Sequence, residues 1–134
     1  MQVATANHPE NKGMNMGILN ATATTPEDFA DKHGRALTNG EDVLFAFRTI
    51  RDFIAFTDWR VIHVNVQGIT GRKCQYLTIP YRSINAFAIE SAGTLDLDAE
   101  VKIYVSGIPP VKFKLGRNSD TSALQSHLAS MLDV

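Results

Sequence analysis

Alternating apolar and polar residues dominate the middle of the chain. Between residues 47 and 67 two apolar stretches follow each other, with the polar-rich residues 57–60 between them. Alternation with a period of two places successive side chains on opposite faces of a strand. The pattern therefore predicts two β-strands joined by a tight turn, a hairpin around which the rest of the chain is organised.

The same type of pattern predicts five more strands, which makes seven between residues 41 and 115. The clearest are residues 101–105 and 111–115, where Val, Ile, Phe and Leu alternate with Lys and Tyr. Gly107 and two prolines lie between these stretches, and both residue types favour turns. The remaining predicted strands cover residues 43–49, 72–80 and 84–90.

Two stretches have helical spacing instead. Thr25 can cap a helix and Pro26 is tolerated at its first position, so a short helix is predicted over about residues 26–38. Near the end of the chain Leu124, Leu128 and Leu132 recur at helical spacing, which predicts an amphipathic helix over about residues 120–132. Residues 1–24 have few large apolar side chains, and we expect a disordered or loosely docked tail.

Together these elements predict one domain over residues 25–134 of a mainly β (α+β) class. We expect a seven-stranded antiparallel sandwich or partly open barrel, made of two near-orthogonal sheets. The C-terminal helix is expected to close one end, with the short N-terminal helix packed beside the strands. A chain of 134 residues is long enough to bury one hydrophobic core.

Composition indicates an ordinary globular protein, with 44% hydrophobic and 20% charged residues. No apolar run approaches the roughly 20 residues needed to span a bilayer. The first residues lack the basic and apolar regions of a secretory signal, and the single Cys74 cannot form an internal disulfide. We therefore expect a cytoplasmic location.

The charge is balanced in total but uneven along the chain. A formal net charge of −1 removes the broad positive field expected of a nucleic-acid-binding protein. Residues 48–82 contain six basic and two acidic side chains, whereas residues 83–101 contain four acidic side chains and no basic one. This asymmetry fits either a solvated surface without further role or two complementary patches that meet between subunits.

Residues that could carry catalysis are few and scattered. The titratable candidates occur in no spacing typical of a nucleophile with its base or of a metal site; they are His8, His33, His63, His127 and Cys74. We therefore expect no enzymatic activity and no catalytic or metal-binding residues.

Three carboxylates alternate at Asp96, Asp98 and Glu100, on one side of an extended segment. Such spacing could hold a hard cation, but the turn glycine and the later bidentate glutamate of an EF-hand loop are missing. The alternatives are an acidic strand edge that blocks unwanted pairing, or one that receives basic residues of a neighbouring subunit. We favour the last of these.

The polar residues around the hairpin also have two interpretations. Asp58 and Arg60 can build the tight turn and form a local ion pair, since turn chemistry favours Asp. Alternatively, these two residues join Arg51 and Asp52 in a hydrophilic surface where adjacent subunits meet and a partner docks. We favour the first interpretation, in which these residues build the turn.

The stretch from Gly40 to Gly107 closely resembles the small bacterial pleckstrin-homology (PH) domain family. The most specific motifs are RD at 51–52, FTD at 56–58 followed by Arg60, QGITG at 67–71, IPY at 79–81, ESAG at 90–93 and DLDAE at 96–100. Trp59 departs from the family pattern, in which a charged residue is more usual. The resemblance implies a PH-like fold without known enzymatic activity or cofactor, in a family that assembles into rings and acts through protein contacts.

We therefore expect a self-associating protein-interaction module that forms a homo-oligomeric ring and contacts an unidentified protein partner, without nucleic acid. An alternative is peripheral binding of anionic lipid head groups, which the short loop flanked only by Arg48 and Arg51 disfavours. A small-molecule-binding domain or enzyme is a third choice. The surface expected to make contacts consists of Arg51, Asp52, Asp58, Arg60, Lys73, Asp96, Asp98 and Glu100.

Overall fold

A computed structural model of the chain describes residues 18–90, 99–116 and 120–132. Most of these residues belong to strands. In chain order the elements are β1 (Ile18–Thr24), α1 (Pro26–His33), a 3-10 turn (Gly34–Ala36), β2 (Val43–Arg48), β3 (Phe53–Thr57), β4 (Arg60–Gln67), β5 (Lys73–Pro80), a second 3-10 turn (Tyr81–Ser83), β6 (Ile84–Glu90), β7 (Ala99–Val105), β8 (Val111–Leu115) and α2 (Thr121–Met131).

The fold divides into two compact units. The hairpin unit covers residues 22–81, and the second unit comprises, among the described residues, 18–21 and those from Arg82 onward. In the hairpin unit, strands β2 to β5 follow one another as antiparallel neighbours. The last three residues of β1 pair with β2, also antiparallel.

The hairpin of β3 and β4 forms as predicted. Phe53 lies opposite Val64 and Phe56 opposite Val61, and all five residues of β3 are buried. The Thr57 hydroxyl accepts hydrogen bonds from the backbone N–H groups of residues 59 and 60, at 3.0 and 2.9 Å. A side chain that satisfies two turn donors fixes the register of the strands on either side.

Within the hairpin unit, helix α1 packs its one buried residue, Phe29, onto β2, β3 and β4. Thr25 caps the helix by accepting from the Asp28 N–H at 3.0 Å, and Pro26 takes the first position, as predicted. The helix is shorter than expected because Gly34 begins a 3-10 turn and Leu37 is already extended. The core beneath it consists of Phe29, Ala46, Phe53, Ala55, Ile62 and Val64.

In the second unit, β6, β7 and β8 form an antiparallel meander whose β7 and β8 residues alternate between buried and less buried positions. Asp120 caps α2 by accepting from the Ala123 N–H at 2.9 Å, and Leu124 and Leu128 are fully buried. These strands and the terminal helix agree with the sequence pattern.

Strand β1 is the main departure from the sequence analysis, which predicted seven strands and assigned Ile18–Thr24 to a loose tail. Its first four residues pair with β8 in parallel, and its last three pair with β2. The segment ILNATAT has little apolar pattern from which a strand could be predicted. Backbone hydrogen bonds to β8 and to β2 hold it in place instead. The rest of the predicted tail, residues 1–17, lies outside the described residues.

Candidate interaction surfaces

Arg60, at the start of β4, points into the hairpin unit. Its guanidinium donates to both carboxylate oxygens of Glu41 at 2.8 Å, to the Ala36 carbonyl at 2.7 Å and to the Thr78 hydroxyl at 2.9 Å. The Arg60 side chain is 19% exposed and that of Glu41 fully buried. A forked ion pair in this position ties the first 3-10 turn, the hairpin and β5 together.

Electrostatics keep both members of this pair charged. The Arg60 hydrogen bonds hold the pKa of Glu41 at about 2, against burial, which acts in the opposite direction. The Thr57 hydroxyl and the Thr38 N–H also donate to this carboxylate, at 2.7 and 3.1 Å. The Glu41 carboxylate in turn raises the pKa of Arg60. Glu41 and Arg60 therefore form a structural lock.

Asp58 serves the turn, as predicted, but it does not pair with Arg60. Its carboxylate accepts from the Asp42 N–H at 3.0 Å, and its own N–H donates to the Asp42 carbonyl at 3.0 Å. The predicted local ion pair between Asp58 and Arg60 is wrong, because Arg60 turns toward the buried carboxylate of Glu41.

Asp52 also faces inward. One carboxylate oxygen accepts from the Val66 N–H at 2.9 Å, and the other lies 3.8 Å from Nε2 of His63, which is 2% exposed. Burial by itself would raise the pKa of Asp52, but the His63 imidazole and the Val66 N–H lower it below its ordinary value. Asp52 therefore anchors the loop before β3 to β4.

Arg51 and Lys73 are the exposed members of the predicted surface in the hairpin unit. The Arg51 guanidinium donates to the Gly68 carbonyl, which joins the β2–β3 loop to the β4–β5 loop. Lys73 begins β5 and pairs through its backbone with Gln67. Both cationic groups lie at the same end of the strands.

Of the three predicted acidic residues, Glu100 is the one that the structure places. Lys102 lies between two carboxylates on neighbouring strands, 2.8 Å from Glu90 and 3.7 Å from Glu100. Lys102 lowers the pKa of Glu90, and Glu90 raises the pKa of Lys102. Asp96 and Asp98 lie outside the described residues.

Two strands have an open side within the described part of the chain. In the hairpin unit, β5 pairs with β4 alone, and in the second unit β6 pairs with β7 alone. An edge strand presents unpaired N–H and C=O groups, to which another strand can add. Lys73 and Pro80 lie at the two ends of β5, whereas β6, with the sequence INAFAIE, contains no lysine, arginine or proline.

Some residues important to these surfaces are absent from the sequence-based prediction. Glu41 was missed because nothing in its local pattern connects it with Arg60, nineteen positions later. Ile50 and Ile69, in the β2–β3 and β4–β5 loops, are also absent from the predicted surface. Their side chains are 96% and 104% exposed.

Across residues 18–90, 99–116 and 120–132, no three His, Cys, Asp or Glu side chains form a group that could hold a metal ion. No helix in this part of the chain is both long and apolar enough to cross a bilayer.

Comparison with known proteins gives consistent matches. The model of the bacterial PH domain family matches residues 13–132. The chain is 42% identical over 118 residues to the uncharacterized protein YjqA of Bacillus subtilis (strain 168), across 86% of this chain and 94% of that protein.

Two crystal structures from Shewanella are also similar. A DUF1696 family protein with a pleckstrin-homology domain from Shewanella loihica PV-4 superimposes with a TM-score of 0.72 and 35% identity. The match covers 85% of this chain and 98% of that one. A pleckstrin homology domain from Shewanella amazonensis SB2B gives a TM-score of 0.60 and 34% identity, over 81% and 89% of the two chains.

Proposed function

The chain belongs to the bacterial PH domain family, and from this membership we propose that it is a non-enzymatic, cytoplasmic protein-interaction module that self-associates. The observation that carries the proposal is the open edge of β6. This strand has a neighbour on one side only within the described residues, and it contains no lysine, arginine or proline, residues that commonly protect an edge.

The side chains of β6 also fit contact with another strand. Phe87 and Ile89 lie opposite Ile103 and Val101 of β7, on the face whose β7 residues are fully buried. Yet Phe87 and Ile89 are themselves only half-buried. A strand added to this edge would cover their exposed apolar surface. This burial would stabilise the contact by roughly 25 cal/mol of free energy for each Å² removed from water.

A second copy of this chain offers such a strand in β5. Its eight residues have their free side available in the described structure, and Tyr76 is 40% exposed. Contacts between unlike edges, β5 of one copy with β6 of the next, are head-to-tail and close into a ring when the rotation permits. We propose this arrangement for the homo-oligomer, with a further protein partner docking on the assembled edges.

Charge complementarity contributes less to the proposed contact than the charge pattern of the sequence suggests, because several of the charged side chains are paired within their own unit. Arg60 and Arg48 are neutralised within their own unit by Glu41 and Asp28, at 2.8 Å in each case. In the second unit, Glu90 and Glu100 share Lys102. The exposed cations Arg51 and Lys73 stay within the proposed contact surface, but backbone pairing is its main component.

The edge contact is tested by placing a charge on the half-buried face of β6. Ile89→Lys can extend its ammonium group past the strand in the free protein, but an added strand would enclose the charge. We expect the solution mass of the variant to fall to that of the monomer, 14.7 kDa, when it is measured by sedimentation velocity.

The matched control is Leu44→Lys. It also replaces an aliphatic residue with lysine, at a position that is 45% exposed on β2, a strand that pairs with both β1 and β3. The control should keep the mass of the wild type. If Ile89→Lys also assembles like the wild type while its circular dichroism is unchanged, the β6 edge is not the contact.

A further inference from the structure

Trp59, the one tryptophan of the chain, lies in the turn between β3 and β4. Its side chain is 51% exposed, whereas Phe53 and Phe56 of the preceding strand are buried. Half of a large aromatic surface in water is burial that the fold does not use. Single exposed apolar residues are ordinary on protein surfaces. Trp59 differs because of the way its turn is held and because of the charges beside it.

Hydrogen bonds fix the backbone on both sides of Trp59. The N–H groups of Trp59 and Arg60 donate to the Thr57 hydroxyl at 3.0 and 2.9 Å. The Asp58 N–H donates to the Asp42 carbonyl, and the Asp58 carboxylate accepts from the Asp42 N–H, both at 3.0 Å. A side chain on a backbone that is already ordered loses less entropy when a partner binds it. Trp59 is therefore a preorganised contact.

The charge beside Trp59 is negative. The two hydrogen bonds place Asp42 next to Asp58 across the turn, and the first is exposed and the second half-buried. Arg60, the cation that follows Trp59 in sequence, is paired with Glu41 instead. Among the described residues, no cation lies within 4 Å of either aspartate carboxylate. The indole thus stands beside two carboxylates whose charge is not matched locally.

An arginine side chain matches both features of this turn. Its planar guanidinium stacks on an indole face, where the ring quadrupole attracts a cation, and it donates forked hydrogen bonds to carboxylates. Tryptophan attracts cations more strongly than the other aromatic residues do. Tryptophan and arginine are also enriched among the residues that contribute most to the affinity of protein interfaces.

We propose that the β3–β4 turn is a docking surface for a basic segment of a partner protein, with an arginine of that segment stacked on Trp59 and paired with the Asp42 carboxylate. Asp58 adds negative charge and keeps its bond to the Asp42 N–H, so the turn retains its shape on binding. A small free cation would need a cage of several aromatic side chains, and residues 57–60 offer one.

This surface belongs to a turn and is complete in a single copy of the chain. It is therefore independent of the proposed contact between β5 and β6. Binding should weaken with salt, because exposed charges are screened over about 8 Å at physiological ionic strength.

The test uses Trp59 as its own reporter. The full chain is titrated with a short peptide in which arginine alternates with glycine, and in parallel with the same peptide carrying citrulline in place of each arginine. Citrulline keeps the shape of arginine but has no charge. The tryptophan emission should change and saturate with the arginine peptide, and it should stay constant with the citrulline peptide.

Variants are compared by the fluorescence anisotropy of the arginine peptide labelled with fluorescein, which does not require the tryptophan. Trp59→Ser should weaken binding by roughly two- to fivefold, the contribution of an exposed cation–π contact. Asp42→Lys should weaken it by about as much, because attraction between exposed charges is replaced by repulsion. The double variant should lose roughly tenfold in affinity. Both positions are exposed, and circular dichroism checks that the fold is kept.

The matched control is Ile69→Ser. Ile69 is 104% exposed, but it lies in the turn between β4 and β5, at the opposite end of β4. This variant should bind the arginine peptide as tightly as the wild type. Ile89→Lys, which is expected to be monomeric, should also bind it. Failure of the edge contact would thus leave peptide binding unchanged, and failure of peptide binding would leave the edge contact standing.

Three results would overturn the proposal. They are constant Trp59 emission with the arginine peptide, an equal change with the citrulline peptide, and equal affinity of Trp59→Ser and the wild type. If Trp59→Ser instead has a lower solution mass than the wild type by light scattering, the turn contacts another copy of the chain and the assignment to a basic partner is wrong.

Discussion

Arg60 shows how burial decides the role of a charged residue. The sequence favours a role in the turn over one in a contact surface, and the structure shows its guanidinium enclosed by the Glu41 carboxylate, the Ala36 carbonyl and the Thr78 hydroxyl. A buried ion pair is costly to break because the remaining partner is left without compensation. Glu41 and Arg60 therefore stabilise the hairpin unit.

This pair predicts a pH dependence. Since the pKa of Glu41 is about 2 in the folded protein and 4.5 is its ordinary value, its contribution to stability is fully present above about pH 4.5. The contribution is lost as the pH falls through 2. Urea unfolding between pH 2 and 6 should show a decline in the free energy of unfolding that is shallower in Glu41→Gln.

At neutral pH, Glu41→Gln should also lower the free energy of unfolding by about 3 kcal/mol, because Arg60 loses its charged partner. Asp28, whose pKa is likewise about 2 through its hydrogen bond from Lys32, titrates in the same range and leaves a residual slope in the variant. A variant with the full wild-type slope would refute the assignment to Glu41.

The hairpin turn is the element that joins this lock to the sheet. The Thr57 hydroxyl donates to Glu41 and accepts from the backbone N–H groups of residues 59 and 60. The Tyr81 hydroxyl donates to the Thr57 carbonyl, and burial raises the pKa of Tyr81. One threonine thus connects the turn, the lock and the end of β5.

Thr57→Val keeps the shape of this side chain and removes its hydroxyl. We expect a loss of about 2 kcal/mol in the free energy of unfolding, because buried donors and an acceptor lose their partner. For a chain of this length, that corresponds to a fall in Tm of roughly 5–10 °C by differential scanning calorimetry.

Thr78→Val is the control for that variant. Its hydroxyl also belongs to the Arg60 network, but residue 78 is exposed, and water can replace the bond. Its Tm should stay within a few degrees of the wild type. Equal losses in the two variants would show that the Thr57 hydroxyl has no special place in the hairpin.

Elements with a strong local pattern were predictable from the sequence. The β3–β4 hairpin, the alternating β7 and β8 and the cap of α2 follow from period and capping alone. Strand β1 was not predictable, since backbone pairing with β2 and β8 holds it without an apolar pattern of its own. The Glu41–Arg60 pair is a tertiary contact that no local signal marks.

At the scale of the whole molecule, the mainly β, PH-like fold expected from the sequence is confirmed, with eight strands in the described structure and a helix after the last of them. The site predictions divide by burial. Asp52 and Arg60 face inward, whereas Arg51 and Lys73 face outward. Asp96 and Asp98 lie outside the described residues.

The proposed function depends on the open strand edges of β5 and β6, which pair copies of the chain. This contact is central, since the proposed partner site forms only on assembled edges. It requires the wild-type protein to exist as a stable oligomer in solution.

The most direct test is the mass of the wild type by light scattering during size-exclusion chromatography, across a range of protein and salt concentrations. The account predicts a fixed multiple of 14.7 kDa that persists on dilution and changes little with salt, because backbone pairing and apolar contact hold the edges together. A mass of 14.7 kDa at every concentration would contradict it.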